Sequence, residues 1–195
     1  MYNNIIRCVL LGDSGVGKSS ILDRLKGYGF NDYNGSTVGV DFGIIKNEKT
    51  NTKFHIYDTS GQCAYKSITS QYYRDATIVI FVYDLNCIES MKNIKYWEEE
   101  FEKNNLNNKL KIYIGNKSEI KKINNDELVK RIENNKNIHI EVSAKKNFNM
   151  QILKNYIINY TDNTINIDNS FIEDNCYYKI NNVCVEKKNK NKCCS

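Results

Sequence analysis

Apolar residues fall in short runs separated by polar chain, and the spacing alternates between continuous and helical. Ile5–Leu11 is a largely apolar run closed by Gly12, the pattern of a buried strand. Ser20–Lys26 then puts Ile21, Leu22 and Leu25 at helical spacing. Val40–Lys46 and Lys53–Asp58 read as two strands joined by the polar turn Asn47–Thr52. Ile78–Tyr83 is a continuous apolar strand ending at Asp84, and Met91, Ile94, Trp97 and Phe101 share one helical face. Leu110–Ile114 predicts a strand running into Gly115-Asn116, Asp126–Glu133 a short helix and Ile138–Val142 a last strand. Phe148–Tyr160 predicts a helix with Ile152, Leu153, Tyr156, Ile157 and Tyr160 inward. Residues 27–39, bearing Gly27, Gly29, Gly35 and Gly39, read as a long mobile loop.

Strands alternating with helices predict an α/β fold: a mainly parallel six-stranded sheet with helices on both faces. Ligands of such sheets bind outside the strands' C-terminal ends. Residues 1–161 read as one domain, and 162–195, where the helical pattern fades into Asn-rich chain, as a flexible tail.

Composition narrows the class. At 195 residues, 41% hydrophobic and 26% charged, the chain is an ordinary globular one. Its longest strongly apolar run, Ile78–Tyr83, is far short of the roughly 20 residues of a membrane helix. The first ten residues do not fit a secretion signal, and Tyr2 in place of Gly excludes N-myristoylation. Net charge is +5, but Lys187, Lys188, Lys190 and Lys192 supply four of those charges, leaving +1 for residues 1–186. A nucleic-acid-binding face is therefore not expected. Seven irregularly spaced cysteines without a C-x-x-C pair suit neither a disulfide framework nor a zinc site. Cys8 and Cys87 read as small core or near-core residues.

The first chemical motif follows the first strand. Gly12-Asp13-Ser14-Gly15-Val16-Gly17-Lys18-Ser19 fits G-x-x-x-x-G-K-[ST] in full, with Ser20 next in the helix. The glycines let the backbone curl its N–H groups inward onto phosphate oxygens, and the following helix adds its positive end. Lys18 supplies a full charge to the outer phosphates, and the Ser19 hydroxyl can bind Mg²⁺. This loop alone specifies a nucleoside triphosphate and leaves ATPases, small-molecule kinases and GTPases open.

Three further segments sit at strand ends. In Asp58-Thr59-Ser60-Gly61-Gln62, the acid can hold a Mg²⁺-bound water and Gly61 can turn its N–H to a terminal phosphate. Gln62, both donor and acceptor, can orient an attacking water. Upstream, Thr37 can bring its hydroxyl to the metal. In Gly115-Asn116-Lys117-Ser118-Glu119, an acid can accept the guanine N1–H and N2–H₂, and the Lys117 stem can cover a base face. In Glu141-Val142-Ser143-Ala144-Lys145, the Ala144 N–H can donate to O6.

Together these motifs resemble the Ras superfamily of small GTPases, and within it the Rab family. Ser36-Thr37-Val38-Gly39-Val40-Asp41-Phe42 is similar to the Rab stretch STIGVDF. Tyr65-Lys66-Ser67-Ile68-Thr69, Tyr72-Tyr73-Arg74 and Phe81-Val82-Tyr83-Asp84 resemble further Rab segments. The resemblance covers about residues 5–160 and the C-terminal cysteines. It implies GTP or GDP with Mg²⁺ as ligands, slow intrinsic hydrolysis, and a switch for vesicle traffic. Nucleotide contacts fall to Gly12–Ser20, Phe30, Thr37, Gly61, Asn116, Lys117, Glu119, Ser143, Ala144 and Lys145, and metal contacts to Ser19, Thr37 and Asp58. Gln62, Lys18 and Thr37 are the implied catalytic residues. Phe42, Tyr57 and Tyr72 match an aromatic triad facing effectors.

Three departures from the family pattern involve five residues. Glu119 replaces the usual guanine-reading Asp, Cys63-Ala64 replaces Glu-Arg after Gln62, and Tyr57 and Ser60 replace Trp and Ala. Cys193 and Cys194 resemble Rab tails that receive two geranylgeranyl groups. The implied partners are effectors, exchange factors, GTPase-activating proteins, the prenylation machinery and a membrane. The implied location is the cytoplasmic face of intracellular membranes with a cytosolic pool. The departures also leave open a degenerate GTPase that holds nucleotide constitutively as a scaffold.

Overall fold

The computed structural model describes residues 4–32, 35, 37–61, 71–104, 110–120 and 123–160. The predicted tail, 162–195, lies outside the described residues. Six strands form one sheet: β1 (Asn4–Leu11), β2 (Val40–Asn47), β3 (Thr52–Thr59), β4 (Ile78–Asp84), β5 (Leu110–Asn116) and β6 (Ile138–Glu141). Their order is β2-β3-β1-β4-β5-β6. All neighbours run parallel except β2 and β3, which the turn after Asn47 folds into an antiparallel hairpin.

The alternation of side chains along each strand divides the core in two. In β1, Ile6, Cys8 and Leu10 join one cluster and Val9 and Leu11 the other. The first cluster is covered by α1 (Lys18–Lys26) through Ile21, Leu22 and Leu25, and by α5 (Met150–Ile158) through Met150, Leu153 and Ile157. The second is covered by α2 (Ile88–Lys92), α3 (Ile94–Asn104) and α4 (Asp126–Asn134), through Met91, Trp97, Phe101 and Ile132. β4 is buried on both faces, as its unbroken apolar run requires. Cys8 is fully buried, which pushes its thiol above its usual range, and Cys87 is half-buried at the start of α2.

Two expectations shift. The face shared by Met91, Ile94, Trp97 and Phe101 is carried by two helices meeting at Asn93, although Trp97 N–H still donates to Asn93 O at 3.0 Å. The last helix starts at Met150 rather than Phe148. Phe148 exchanges backbone hydrogen bonds of 3.0 and 3.1 Å with Ser143, and Asn149 takes a left-handed conformation before the first turn.

Chain order places β1 at the point where connections turn from one side of the sheet to the other. The loop leaving β1 therefore opens into the crevice where such sheets take ligands. Leu153 is fully buried in the first cluster. Leu153→Ala should lower unfolding stability by about 2–5 kcal/mol. Urea denaturation of the nucleotide-loaded protein measures it, and a loss below about 1 kcal/mol would contradict this packing.

Candidate functional site

The phosphate loop closes around its own lysine. Gly17 has φ 97°, in the left-handed region, and a Cβ there would collide with Asn116 Nδ2. Lys18, the first residue of α1, is 6% exposed. Its ammonium donates to Gly12 O at 2.8 Å and Asp13 O at 2.7 Å. Burial pulls its pKa down to about 8, against the opposing pull of Asp58 and Asp13. Both of its hydrogen-bond partners are neutral carbonyls, so a polyphosphate would be a fitting counter-charge.

Ser19, Thr37 and Asp58 converge beside it. Ser19 Oγ donates to Asp58 Oδ2 at 2.6 Å and lies 2.8 Å from Thr37 Oγ1, which is 3.3 Å from the same carboxylate oxygen. Asp58 is fully buried, and its other oxygen, Oδ1, has no hydrogen-bond partner among the described residues. Burial raises its pKa, against the hydrogen bond from Ser19 and the charge of Lys18. Two hydroxyls and an under-satisfied carboxylate are hard oxygen donors, so this set fits Mg²⁺. Thr59 Oγ1 donates to Leu10 O at 2.8 Å, tying the end of β3 to β1. Ser60 N–H donates to Gly39 O at 2.9 Å, which ties the Thr37 loop to the segment after β3. Gly61 packs so tightly on the Asp13–Ser14 peptide that a Cβ would collide with it.

The other end of the crevice is organised by Asn116. Its Nδ2 donates to Val16 O at 2.9 Å, and its Oδ1 accepts from Ala144 N–H at 3.2 Å. The amide expected to face a purine O6 is thus held within the protein, by a bond at the long end of the usual range. Lys117 has φ 64°, and its ammonium pairs with Asp84 Oδ2 at 2.8 Å, which fixes the stem across the ends of β4 and β5. Ser143 is buried and its Oγ accepts from Lys146 N–H at 2.8 Å, tightening the turn after β6. Lys145 pairs with Asp32 at 2.7 Å and lies 5.5 Å above the Phe30 ring. Its pKa is raised chiefly by Asp32, with a smaller contribution from Glu119, which is exposed. Arg24 reaches from α1 to this loop: Nε donates to Ala144 O at 2.7 Å and Nη2 to Lys145 O at 3.0 Å.

The Ras family model matches residues 7–163. The GTP-binding protein YPTM2 of Zea mays is 38% identical over 155 residues, spanning 77% of this chain and 76% of that protein. The Ras-related protein RABD2b of Arabidopsis thaliana is 36% identical over 155 residues, 77% of each chain. The GTP-binding protein ypt1 of Schizosaccharomyces pombe is 36% identical over 155 residues, 77% of this chain and 76% of that one. The chain is a Rab-type member of the Ras family. It is a GTPase.

Those residues expected at the site that are described come to one edge of the sheet, where β1, β3, β5 and β6 end. Gly12–Ser20 follow β1, Asp58 and Gly61 lie at the end of β3, Asn116–Glu119 at that of β5 and Ser143–Lys145 after β6. Phe30 packs, half-buried, against the first core cluster. Gln62, Cys63-Ala64 and Ser36 lie outside the described residues, as do Cys193 and Cys194. Phe42, Tyr57 and Tyr72 form a continuous aromatic group with ring centroids 5.3 and 4.9 Å apart, and Phe42 is exposed.

Arg24, Asp32, Asp84, Asn93 and Trp97 also reach the site, and the sequence reading gave none of them that role. All act across long separations in the chain, where neither spacing nor a motif links them. Arg24 grips two carbonyls with one planar fork, so Lys is not an equivalent substitute. Arg24→Ala should speed GDP release about tenfold, and Arg24→Lys should restore only part of the difference. Release of a fluorescent GDP analogue measures both, and an unchanged rate in Arg24→Ala would show that the loop needs no brace.

Proposed function

We propose that this GTPase grips GTP and GDP between the phosphate loop and the Asn116 and Ala144 loops, and acts as a membrane-bound switch in vesicle traffic. The observation that carries the reading is the convergence of the Lys18 ammonium and the Ser19–Thr37–Asp58 oxygens at one strand edge. Ser19, Thr37 and Asp58 would hold Mg²⁺, which would supply charge neutralisation on the phosphates when bound. Lys18 and the loop N–H groups bind and orient the outer phosphates. Gln62 orients the attacking water in line with the γ-phosphate, and loss of that phosphate frees Thr37 and Gly61.

Glu119 accepts from the guanine N1–H and N2–H₂ in place of the Asp usual in the family pattern, with its extra methylene taken up at an exposed position. The Phe42–Tyr57–Tyr72 group faces effectors, and exchange factors and GTPase-activating proteins meet the segment after Gly61. Intrinsic turnover is slow, because an arginine supplied in trans is worth about 10³–10⁵ in rate. The scaffold reading is not favoured: the relatives are GTP-binding and Ras-related proteins, and Lys18, Ser19, Thr37 and Asp58 stand together.

Lys18→Ala should weaken GDP and GTP retention at least about 100-fold. Gln62→Leu should leave retention intact and slow single-turnover hydrolysis at least about tenfold. Equal retention in the first variant would remove the pocket from this account, and unchanged hydrolysis in the second would remove Gln62.

Two lipid chains give stable anchoring where one is marginal. Fractionation of the prenylated protein should therefore find the Cys193→Ser/Cys194→Ser double variant in the soluble fraction and each single variant partly released. A membrane-bound double variant would refute lipid attachment at this pair.

A further inference from the structure

The second position of the phosphate loop is one the motif leaves open, yet here it is held from three directions. Asp13 Oδ2 accepts from Asn93 Nδ2 at 2.8 Å, and Oδ1 from Trp97 Nε1 at 2.8 Å. Its backbone carbonyl accepts from Lys18 Nζ at 2.7 Å. Gly61 rests against the peptide that joins it to Ser14.

Asn93 and Trp97 are four residues apart at the junction of α2 and α3, so their donors lie on one face, one turn apart. Trp97 is 3% exposed within the second core cluster and meets Tyr96 edge-on at 5.4 Å, which leaves its indole little freedom to swing. An indole N–H only donates and a carboxylate accepts at both oxygens, so the pairing is chemically one-way. Bonds to an ionised acceptor are about twice as strong as neutral ones.

Both oxygens of Asp13 are thus engaged by the helix. What the arrangement fixes is the Asp13–Ser14 peptide, with the Lys18 contact at its carbonyl and Gly61 against its surface. We propose that Asn93 and Trp97 are positioning residues for the phosphate loop. They clamp Asp13 so that Lys18 and Gly61 stay in register on the outer phosphates, and the α2–α3 junction thereby sets how long nucleotide is retained. The inference rests on the reading that Lys18 and this loop hold the nucleotide.

The chemistry of the clamp supplies its own rescue. In Asp13→Asn the side-chain carbonyl can still accept from Trp97. Its NH₂ then faces Asn93, whose amide can rotate to present oxygen instead. Asp13→Ala offers neither oxygen.

The test is the release rate of a fluorescent GDP analogue from the full chain with Mg²⁺. Trp97→Phe and Asp13→Ala should each speed release about tenfold, and the double variant should be no faster than the faster single one. Asp13→Asn should stay within about threefold of the parent. Phe101→Leu serves as control: it lies further along the same face of α3, edge-on to Phe81 at 6.1 Å. It should lower the melting temperature while changing release less than about twofold. The proposal is overturned if Trp97→Phe leaves release unchanged, if the two single effects multiply in the double variant, or if Phe101→Leu speeds release as much. Lys18→Ala separates the two layers. If it abolishes retention while Trp97→Phe does nothing, only the clamp fails; if it retains GDP normally, the reading of the site beneath it fails.

Discussion

A single buried carboxamide joins the two halves of the pocket. Asn116 is 2% exposed, gives a hydrogen bond to Val16 O in the phosphate loop and takes one from Ala144 N–H in the loop after β6. Each bond answers a backbone group of a loop, and a buried polar group left without a partner costs about 1–3 kcal/mol. The left-handed Gly17 exists in part to make room for this amide, because any side chain there would strike it. Phosphate end and base end are therefore set by one side chain, whose position follows from β5 pairing in register with β4 on one side and β6 on the other.

Around that strut, the remaining contacts link loop to scaffold. Arg24 carries the Ala144–Lys145 carbonyls to α1, whose first residue is Lys18. Lys117 is tied to Asp84 at the end of β4, and Asp13 to the α2–α3 junction. Each functional loop thus has at least one side-chain connection to a helix or strand that did not supply it. A loop held in this way gives up little further conformational entropy when a ligand arrives, which is the physical meaning of preorganisation.

Much of this frame was legible in the sequence. The strands from Ile5, Val40, Lys53, Ile78, Leu110 and Ile138 all appear, because continuous apolar runs bounded by polar turns have few other solutions in a chain of this size. The phosphate loop and the segments at Asp58, Asn116 and Ser143 were legible because backbone geometry demands those residue types locally. The edges of elements were less so. Phe148 looked like the inward start of a helix by periodicity, but its backbone pairs with Ser143 and its side chain is half exposed. The supporting residues were illegible for a different reason. Trp97 has the spacing of a core residue and is one; that its N–H also meets Asp13, 84 positions earlier, depends on how α3 lies across β1 and β4. Local pattern carries no information about that crossing.

The charges of the pocket favour a nucleotide and a metal arriving together. Lys18 is a cation that burial discourages, with its nearest partners two carbonyl oxygens. Asp58 is a carboxylate that burial discourages equally in kind, with one oxygen unmet among the described residues. The two moderate each other, but neither is satisfied by the other alone, since Asp58 spends its partnered oxygen on Ser19 and Thr37. An anion alone would answer Lys18 and repel Asp58; a cation alone would do the reverse. A magnesium polyphosphate would answer both at once, with negative oxygens for the ammonium and positive charge for the carboxylate. On the proposed reading, electrostatics would make occupancy of the whole site cooperative, and Thr37, in contact with the same hydroxyl and carboxylate, would carry that occupancy to the loop leading to β2.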